Sequence, residues 1–103
     1  MIKIMLFCCA GMSTSLLVTK MQKAADKRGI EAKIWAVSQA EYENEMKNCD
    51  VCLLGPQVKY LLKTAQKVGE QNNVPVAVIS PIDYGMVDGN KVLDFALSLK
   101  KGK

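Results

Sequence analysis

The 103-residue sequence has no histidine, one arginine (Arg28) and an aromatic content of only 6%. The missing imidazole excludes Ser-His-Asp and Cys-His hydrolysis and the zinc sites that use histidine ligands. Any histidine chemistry in a group-transfer reaction must therefore come from a partner. Nucleic-acid-binding proteins usually carry arginine-containing basic stripes with interleaved aromatic residues. The sequence is not typical of that class, so we expect no nucleic-acid partner.

Long hydrophobic segments are also missing. The longest apolar stretch, residues 4–12, is far shorter than the roughly 20 residues of a membrane-spanning helix. No A-x-A-like signal cleavage site follows the apolar start, and bulky Phe7 before Cys8 does not fit a lipoprotein cleavage site. The four cysteines lie in apolar, strand-like surroundings and not at spaced loop positions. We therefore expect a cytoplasmic protein without a membrane-inserted segment.

The composition is that of a globular protein, with 50% hydrophobic and 23% charged residues and a mild net charge of +4. A mass of 11.3 kDa is enough for one hydrophobic core. We expect a single domain over residues 1–103, with a frayed tail at residues 100–103. With no long exposed strand edge beyond the two ends of the sheet, a monomer that binds partners transiently is expected.

Four apolar runs, each followed by a helical segment, divide the chain. The predicted strands are residues 2–7, 30–37, 51–54 and 76–79. The first predicted helix runs from Ser13, as its cap, to Gly29. The second begins at Ser38, which has capping-box spacing with Glu41, and ends at Met46 or Lys47. The third and fourth predicted helices cover residues 58–68 and 90–100. The first strand is nearly all apolar and the third is wholly apolar, so both are central, whereas the second alternates and belongs at an edge.

Strands separated by helices form right-handed crossovers and a parallel sheet. The expected fold is α/β, with a four-stranded parallel sheet of order 2-1-3-4 and helices on both faces. In such a sheet the ligand crevice lies at the carboxyl ends of the strands where the winding reverses, between the first and third strands. The loop that follows the first strand is therefore expected to lie at the ligand crevice.

That loop, residues 8–15, contains small residues, one glycine and three hydroxyls before the first helix. Successive backbone amides and a helix N-terminus form a nest that suits a phosphate, and they would favour the thiolate of Cys8 as a nucleophile. The hydroxyls of Ser13, Thr14 and Ser15 would complete the oxygen-binding shell. The alternative is that Cys8 and Cys9 are small hydrophobes ending a core strand and that Ser13 is only a helix cap.

Three motifs resemble one known family: LFCCAGMSTSLL at residues 6–17, LLGPQ at 53–57 and YGMVDG at 84–89. They are similar to the enzyme IIB components of the sugar phosphotransferase system, in the lactose, cellobiose and diacetylchitobiose group. The resemblance implies a fold similar to low-molecular-weight tyrosine phosphatases. It also implies that Cys8 accepts a phosphoryl group from a histidine of enzyme IIA. Cys8 then passes it to a sugar bound by the membrane permease, enzyme IIC.

The resemblance is closer to the cellobiose and chitobiose type, so a β-linked disaccharide taken up through enzyme IIC is the expected acceptor. No cofactor or metal is implied. Cys9 stands where the family often has serine, but Cys8 follows the Leu-Phe end of the strand as the family's reactive cysteine does, so Cys9 is expected to be a spectator or a weak amide partner. The implied phosphate-binding residues are Cys9, Ala10, Gly11, Met12, Ser13, Thr14 and Ser15. An apolar collar for docking both partners is expected from Met12, Pro56, Tyr60, Tyr84 and Met86.

A low-molecular-weight phosphatase or an arsenate-reductase-like enzyme is the main alternative. Those enzymes carry an arginine six residues after the cysteine to bind phosphate oxygens, but this chain has Thr14 there. Arg28 is expected about 20 Å from the loop and cannot replace it. Asp83 is either the counterpart of the phosphatase general acid or a turn residue at the strand exit.

Two other features each allow a functional and a structural interpretation. Cys49 and Cys52 have the spacing of redox or metal motifs, but on a strand they would face opposite sides about 10 Å apart, so core packing is expected. A thiol redox protein is the third function class. It is disfavoured because this chain has no suitably placed resolving cysteine. The cations Lys20, Lys23, Lys27 and Arg28 form either a solvated helix face or a partner-docking face.

Overall fold

The computed structural model describes residues 1–7, 11–38 and 40–101, with the backbone only for residues 11–13 and 101. Its four strands are β1 (Ile2–Phe7), β2 (Ala32–Val37), β3 (Val51–Leu54) and β4 (Val76–Val78). All three pairings are parallel, and the strand order is β2-β1-β3-β4. The predicted sheet order and the edge position of the second strand are therefore confirmed.

Helices connect the strands. The structure has the α-helices α1 (Gly11–Lys27), α2 (Tyr42–Glu45), α3 (Leu62–Gln71), α4 (Pro81–Gly85) and α5 (Gly89–Lys101), and the 3₁₀ segments Met46–Asn48 and Pro56–Leu61. Within the described part of the chain, no helix is both long and apolar enough to cross a membrane.

Both faces of the sheet are covered, because alternate residues of the central strands enter two different hydrophobic clusters. Ile4 and Leu6 of β1 pack with residues of α1 and α5. Met5 and Phe7 pack on the other face with residues of α2, the 3₁₀ segments and α3. Phe7 stacks on Tyr42 with ring centroids 4.4 Å apart. The α/β architecture with helices on both faces is thus confirmed.

The helix boundaries differ from the predicted ones in several places. α1 begins at Gly11, so Ser13 lies inside the first turn and is not the cap. Glu41 accepts hydrogen bonds from both the N–H and the hydroxyl of Ser38, but Glu41 itself is the cap of α2. Lys100 is helical and lies 3.6 Å from Asp50, so the expected frayed tail does not include it. The sequence pattern also missed α4 altogether.

Cys49 and Cys52 are buried free thiols, so the prediction of core packing is confirmed. The predicted opposite orientation is wrong, since both belong to the same hydrophobic cluster. Cys49 precedes β3 and caps the 3₁₀ segment Met46–Asn48, where its thiol donates to the carbonyl of Met46. The two-residue alternation of a strand therefore does not apply between the two cysteines.

Candidate functional site

The carboxyl ends of β1, β3 and β4 are joined by hydrogen bonds at one edge of the sheet. The N–H of Gly55 donates to the carbonyl of Phe7 at 3.0 Å, and the N–H of Ile79 donates to that of Leu54 at 2.9 Å. Three helical segments, α1, Pro56–Leu61 and α4, follow these strand ends. This edge includes the switch point between β1 and β3 where open parallel sheets bind ligands.

Cys8, Cys9 and Ala10 lie outside the described residues. They connect Phe7, the last residue of β1, to Gly11, the first residue of α1. Gly11, Met12 and Ser13 form the first helical turn, although their side chains also lie outside the described part. A helix N-terminus supplies backbone N–H groups and a partial positive charge, and the first turn of α1 contains no acidic residue. The described backbone therefore suits an anion, and the assigned phosphate ligands stay predictions.

Thr14 is the buried polar residue of this region, with 2% of its surface exposed. Its hydroxyl lies 2.9 Å from the hydroxyl of Tyr84. This hydrogen bond joins the first turns of α1 to α4 across 70 positions of sequence. Ser15 is exposed, and its carbonyl accepts a hydrogen bond from the hydroxyl of Thr19. The first turns of α1 are thus fixed by side-chain bonds on both sides.

The predicted docking collar is partly changed by the structure. Tyr84 is only 7% exposed and packs in the core, so its expected place on an exposed surface is wrong. Tyr60 and Met86 are 71% and 74% exposed, while Pro56 is half-buried. The structure adds two exposed apolar residues that the sequence reading missed, Leu16 and Ile82. We call Leu16, Tyr60, Ile82 and Met86 the apolar collar.

Asp83 lies in α4 and is half-buried, so it is not part of the simple turn that one interpretation expected. It lines a cavity of about 210 Å³ together with residues of β4 and α5. Its carbonyl accepts the N–H of Asp88 at 2.9 Å. This backbone bond lies in the connection between α4 and α5. It does not include the carboxylate of Asp83, so it gives no support to Asp83 as a general acid.

Arg28 is held at the opposite end of α1 from Gly11. Its guanidinium donates to Asp94 at 2.6 Å and to the side chain of Asn90 at 3.1 Å. The hydrogen bond to Asp94 raises the pKa of Arg28, and the same bond lowers the pKa of Asp94. A 17-residue helix is about 25 Å long. Arg28 therefore cannot serve as a phosphate clamp at the loop.

Cys49 and Cys52 do not contribute to the site because both are buried in the core. Burial raises the pKa of Cys49 to about 12, and burial also raises the pKa of Cys52 well above its ordinary value. Both thiols therefore stay protonated and unreactive near neutral pH. Across the described residues, no group of three or more cysteine and acidic side chains is arranged to hold a metal.

The sequence matches the family model of the PTS system, Lactose/Cellobiose specific IIB subunit, over residues 3–95. The chain belongs to this family. It is 50% identical over 97 residues to the oligo-beta-mannoside-specific EIIB component of Bacillus subtilis, with 94% of each chain covered. It is 48% identical over 101 residues to the cellobiose-specific EIIB component of Lactococcus lactis, covering 93% of this chain and 94% of the relative.

Solved structures agree with this assignment. A cellobiose-specific phosphotransferase IIB component from Borrelia burgdorferi is 35% identical, with a TM-score of 0.82 and coverage of 99% of this chain and 94% of that one. The lactose-specific IIB domain from Streptococcus pneumoniae has a TM-score of 0.86 over 95% of this chain and 96% of its own, with 16% identity. The second likeness shows the fold alone. IIB domains share the fold of low-molecular-weight tyrosine phosphatases, as expected.

Family membership makes the chain a phosphoryl-carrying transferase component of a sugar phosphotransferase system. The phosphatase or arsenate-reductase alternative is not favoured. Thr14 occupies the position of the phosphatase arginine and is bonded to Tyr84, while Arg28 is bonded to Asp94.

Proposed function

We propose that Cys8 accepts a phosphoryl group from a phosphohistidine of an enzyme IIA component and passes it to a saccharide bound by an enzyme IIC permease. Cys9 takes no covalent part. The reaction takes place at the carboxyl edge of the sheet, on the cytoplasmic side of the membrane. The protein requires no cofactor or metal of its own for either transfer.

In the first step the thiolate sulfur of Cys8 attacks the phosphorus of the phosphohistidine. The S–P bond forms while the N–P bond breaks, and the electron pair of that bond returns to the imidazole ring. The proton lost by the thiol ends on the imidazole. In the second step a sugar hydroxyl oxygen attacks the same phosphorus, so that the O–P bond forms while the S–P bond breaks with Cys8 as the leaving group, and the proton of the sugar hydroxyl ends on the sulfur and restores the thiol.

The observation that carries this proposal is the family match over residues 3–95, together with the sequence position of Cys8. Cys8 follows the last residue of the central strand β1, and two residues, Cys9 and Ala10, separate it in sequence from the start of α1. The absence of histidine from the chain agrees with a donor histidine on a partner. The backbone N–H groups at the start of α1 provide neutral donors for a phosphoryl group.

The missing arginine favours a carrier over a hydrolase. A guanidinium at the phosphate would stabilise the transition state for attack by water, whereas neutral N–H and hydroxyl donors hold the group with less such assistance. The phosphocysteine would therefore survive long enough to meet an acceptor. Two relatives are named for β-linked sugars, oligo-β-mannosides and cellobiose, and on these two we propose a saccharide of the β-linked class, although a third relative is named for galactose.

Intact-protein mass spectrometry tests the proposal directly. Wild type, Cys8→Ser and Cys9→Ser are incubated with phosphoenolpyruvate, the general phosphotransferase proteins and a cognate enzyme IIA. We expect one phosphate adduct, stable for minutes, in wild type and Cys9→Ser and none in Cys8→Ser. Loss of the adduct only in Cys9→Ser would overturn the assignment of Cys8. Hydrolysis of an aryl phosphate without adduct formation would overturn the carrier function.

A further inference from the structure

A groove runs along α1 where the start of α5 crosses it. It has a volume of about 250 Å³, and the residues that line it include Leu16, Lys20, Lys23, Lys27, Gly89 and Asn90. The two helices approach each other closely where Gly89 lines the groove. A Cβ on Gly89 would lie 2.5 Å from the carbonyl carbon of Lys20, so only glycine allows this contact.

The walls of this groove are strongly basic. Lys20, Lys23 and Lys27 are all exposed, and no carboxylate is among the lining residues. In the part of the chain that the structure describes, the ion pairs are Arg28 with Asp94 and Lys100 with Asp50, and none includes the three groove lysines. The three like charges on this concave surface therefore have no ion-pair partner among the described residues.

Two carboxylates close to the groove in sequence, Asp26 and Asp88, are in neither of these ion pairs and accept hydrogen bonds from neutral donors. Asp26 accepts the side-chain amide of Gln22, and Asp88 accepts the backbone N–H of Lys91 at the start of α5. Arg28, which the sequence groups with these lysines, is paired with Asp94, and it also donates to the carbonyl and side-chain oxygens of Asn90, a residue that lines the groove. The cationic side chains on α1 that form no ion pair with another described residue are therefore the three groove lysines.

The groove is continuous with the apolar collar. Leu16 belongs to the collar and also lines the groove, and Lys20, Lys23 and Lys27 follow it at helical spacing along α1. A molecule that covers the collar next to the loop would therefore also reach the lysines. The surface has an apolar end near the start of α1 and a basic end toward Lys27.

We propose that the groove on α1 receives a protruding, carboxylate-rich segment of the phosphoryl donor, enzyme IIA, and steers that donor onto the collar. The inference rests on the proposed function and adds the chemistry of the donor's contact. Charge complementarity selects an acidic partner surface, and the concave shape selects a protruding segment of protein over a flat lipid surface. Cytoplasmic loops of membrane proteins are usually rich in lysine and arginine, so they would be repelled by this groove.

Electrostatic steering raises association rates by about 10- to 1000-fold and weakens steeply as salt concentration increases. We therefore expect the second-order rate of Cys8 phosphorylation by enzyme IIA to fall as salt rises. Reversing two charges in the groove should slow this rate by about tenfold at low salt and remove most of its salt dependence.

The test compares Lys23→Glu/Lys27→Glu with a matched control, Lys63→Glu/Lys67→Glu. Both pairs are exposed, four residues apart on a helix and equal in charge change, but Lys63 and Lys67 lie on α3 at the other face of the sheet. Rapid-quench kinetics with phosphorylated enzyme IIA gives the rate, and circular dichroism checks that both variants are folded. We expect the groove variant to be slow and the control to match wild type.

Equal slowing of both variants would show an effect of net charge and would contradict the proposed role of the groove in binding enzyme IIA. An unchanged groove variant would overturn it as well. In a third outcome, the groove variant takes up phosphate from enzyme IIA normally but transfers it slowly to sugar in permease-containing vesicles. That result would show that the groove contacts the permease or the membrane, and it would refute enzyme IIA as its partner. If wild type itself takes up no phosphate from a verified donor, the proposed function fails first, and the inference fails with it.

Discussion

The hydrogen bond between Thr14 and Tyr84 should stabilise the protein and position the start of α1. The two hydroxyls lie 2.9 Å apart in a region where Thr14 is 2% and Tyr84 is 7% exposed. A buried neutral hydrogen bond contributes about 1 kcal/mol net. Tyr84→Phe keeps the ring in the core and removes only the hydroxyl, so a loss of about 1 kcal/mol is expected.

That loss is measurable by urea unfolding. With a slope of about 2 kcal/mol per M for a small domain, 1 kcal/mol moves the midpoint by about 0.5 M. Thr14→Val removes the other hydroxyl while keeping the branched shape. In a double-mutant cycle, the pair should show a coupling free energy of about 1 kcal/mol, because neither single variant leaves the bond intact.

The same cycle can be measured on function. Both single variants should slow phosphorylation of Cys8 by enzyme IIA, and the double variant should be no slower than the slower single variant, since all three lack the same bond. A coupling free energy within about 0.3 kcal/mol of zero would refute the reasoning, because independent sites give additive effects. Thr64→Val is the matched control, as Thr64 is exposed on α3 and outside the collar.

Three further results are expected. Gly89→Ala should destabilise the protein by about 1–3 kcal/mol in urea unfolding, because its Cβ would meet the backbone of Lys20. Cys49 and Cys52 should resist alkylation at pH 8 until the protein unfolds, and folding stability should fall above pH 9, where unfolded thiols ionise but the folded pKa of Cys49 is about 12. This pH dependence should shrink in the double alanine variant of the two cysteines. Met86→Asp should slow phosphoryl uptake with an unchanged urea midpoint, since this side chain is 74% exposed.

The order of the sheet was predictable because burial on both faces leaves a direct trace in sequence. Every residue of β3 is buried, and it is an uninterrupted apolar run. β2 has only one buried residue and alternates, as an edge strand should. These patterns depend on contacts spread along whole strands, so a change at one residue would not alter them.

The apolar collar was only partly predictable because it depends on α4. This helix has five residues and begins at Pro81, which also favours a turn, so no helical periodicity reveals it. Without the helix, Tyr84 and Met86 look like neighbours on one surface. The helical turn instead sends Ile82 and Met86, four residues apart, to solvent and Tyr84 to the core.

Long-range polar pairs left no trace in the sequence. Thr14 meets Tyr84 across 70 positions and Arg28 meets Asp94 across 66. Spacing rules describe neighbours within a helix or strand and do not apply at such separations. The pairing of Arg28 with Asp94 was therefore not predictable, since Asp94 lies on α5.

The placement of the single arginine bears on why a phosphatase-like fold can serve a carrier. Arg28 is bound to Asp94 at the far end of α1, and the position six residues after Cys8 holds Thr14, buried against Tyr84. In the proposed mechanism, stabilisation of the phosphoryl group at the loop comes from neutral N–H and hydroxyl donors. A fixed cation there would favour attack by water as well as by sugar. Cations instead line the groove along α1, where they can attract a partner without touching the reacting phosphorus.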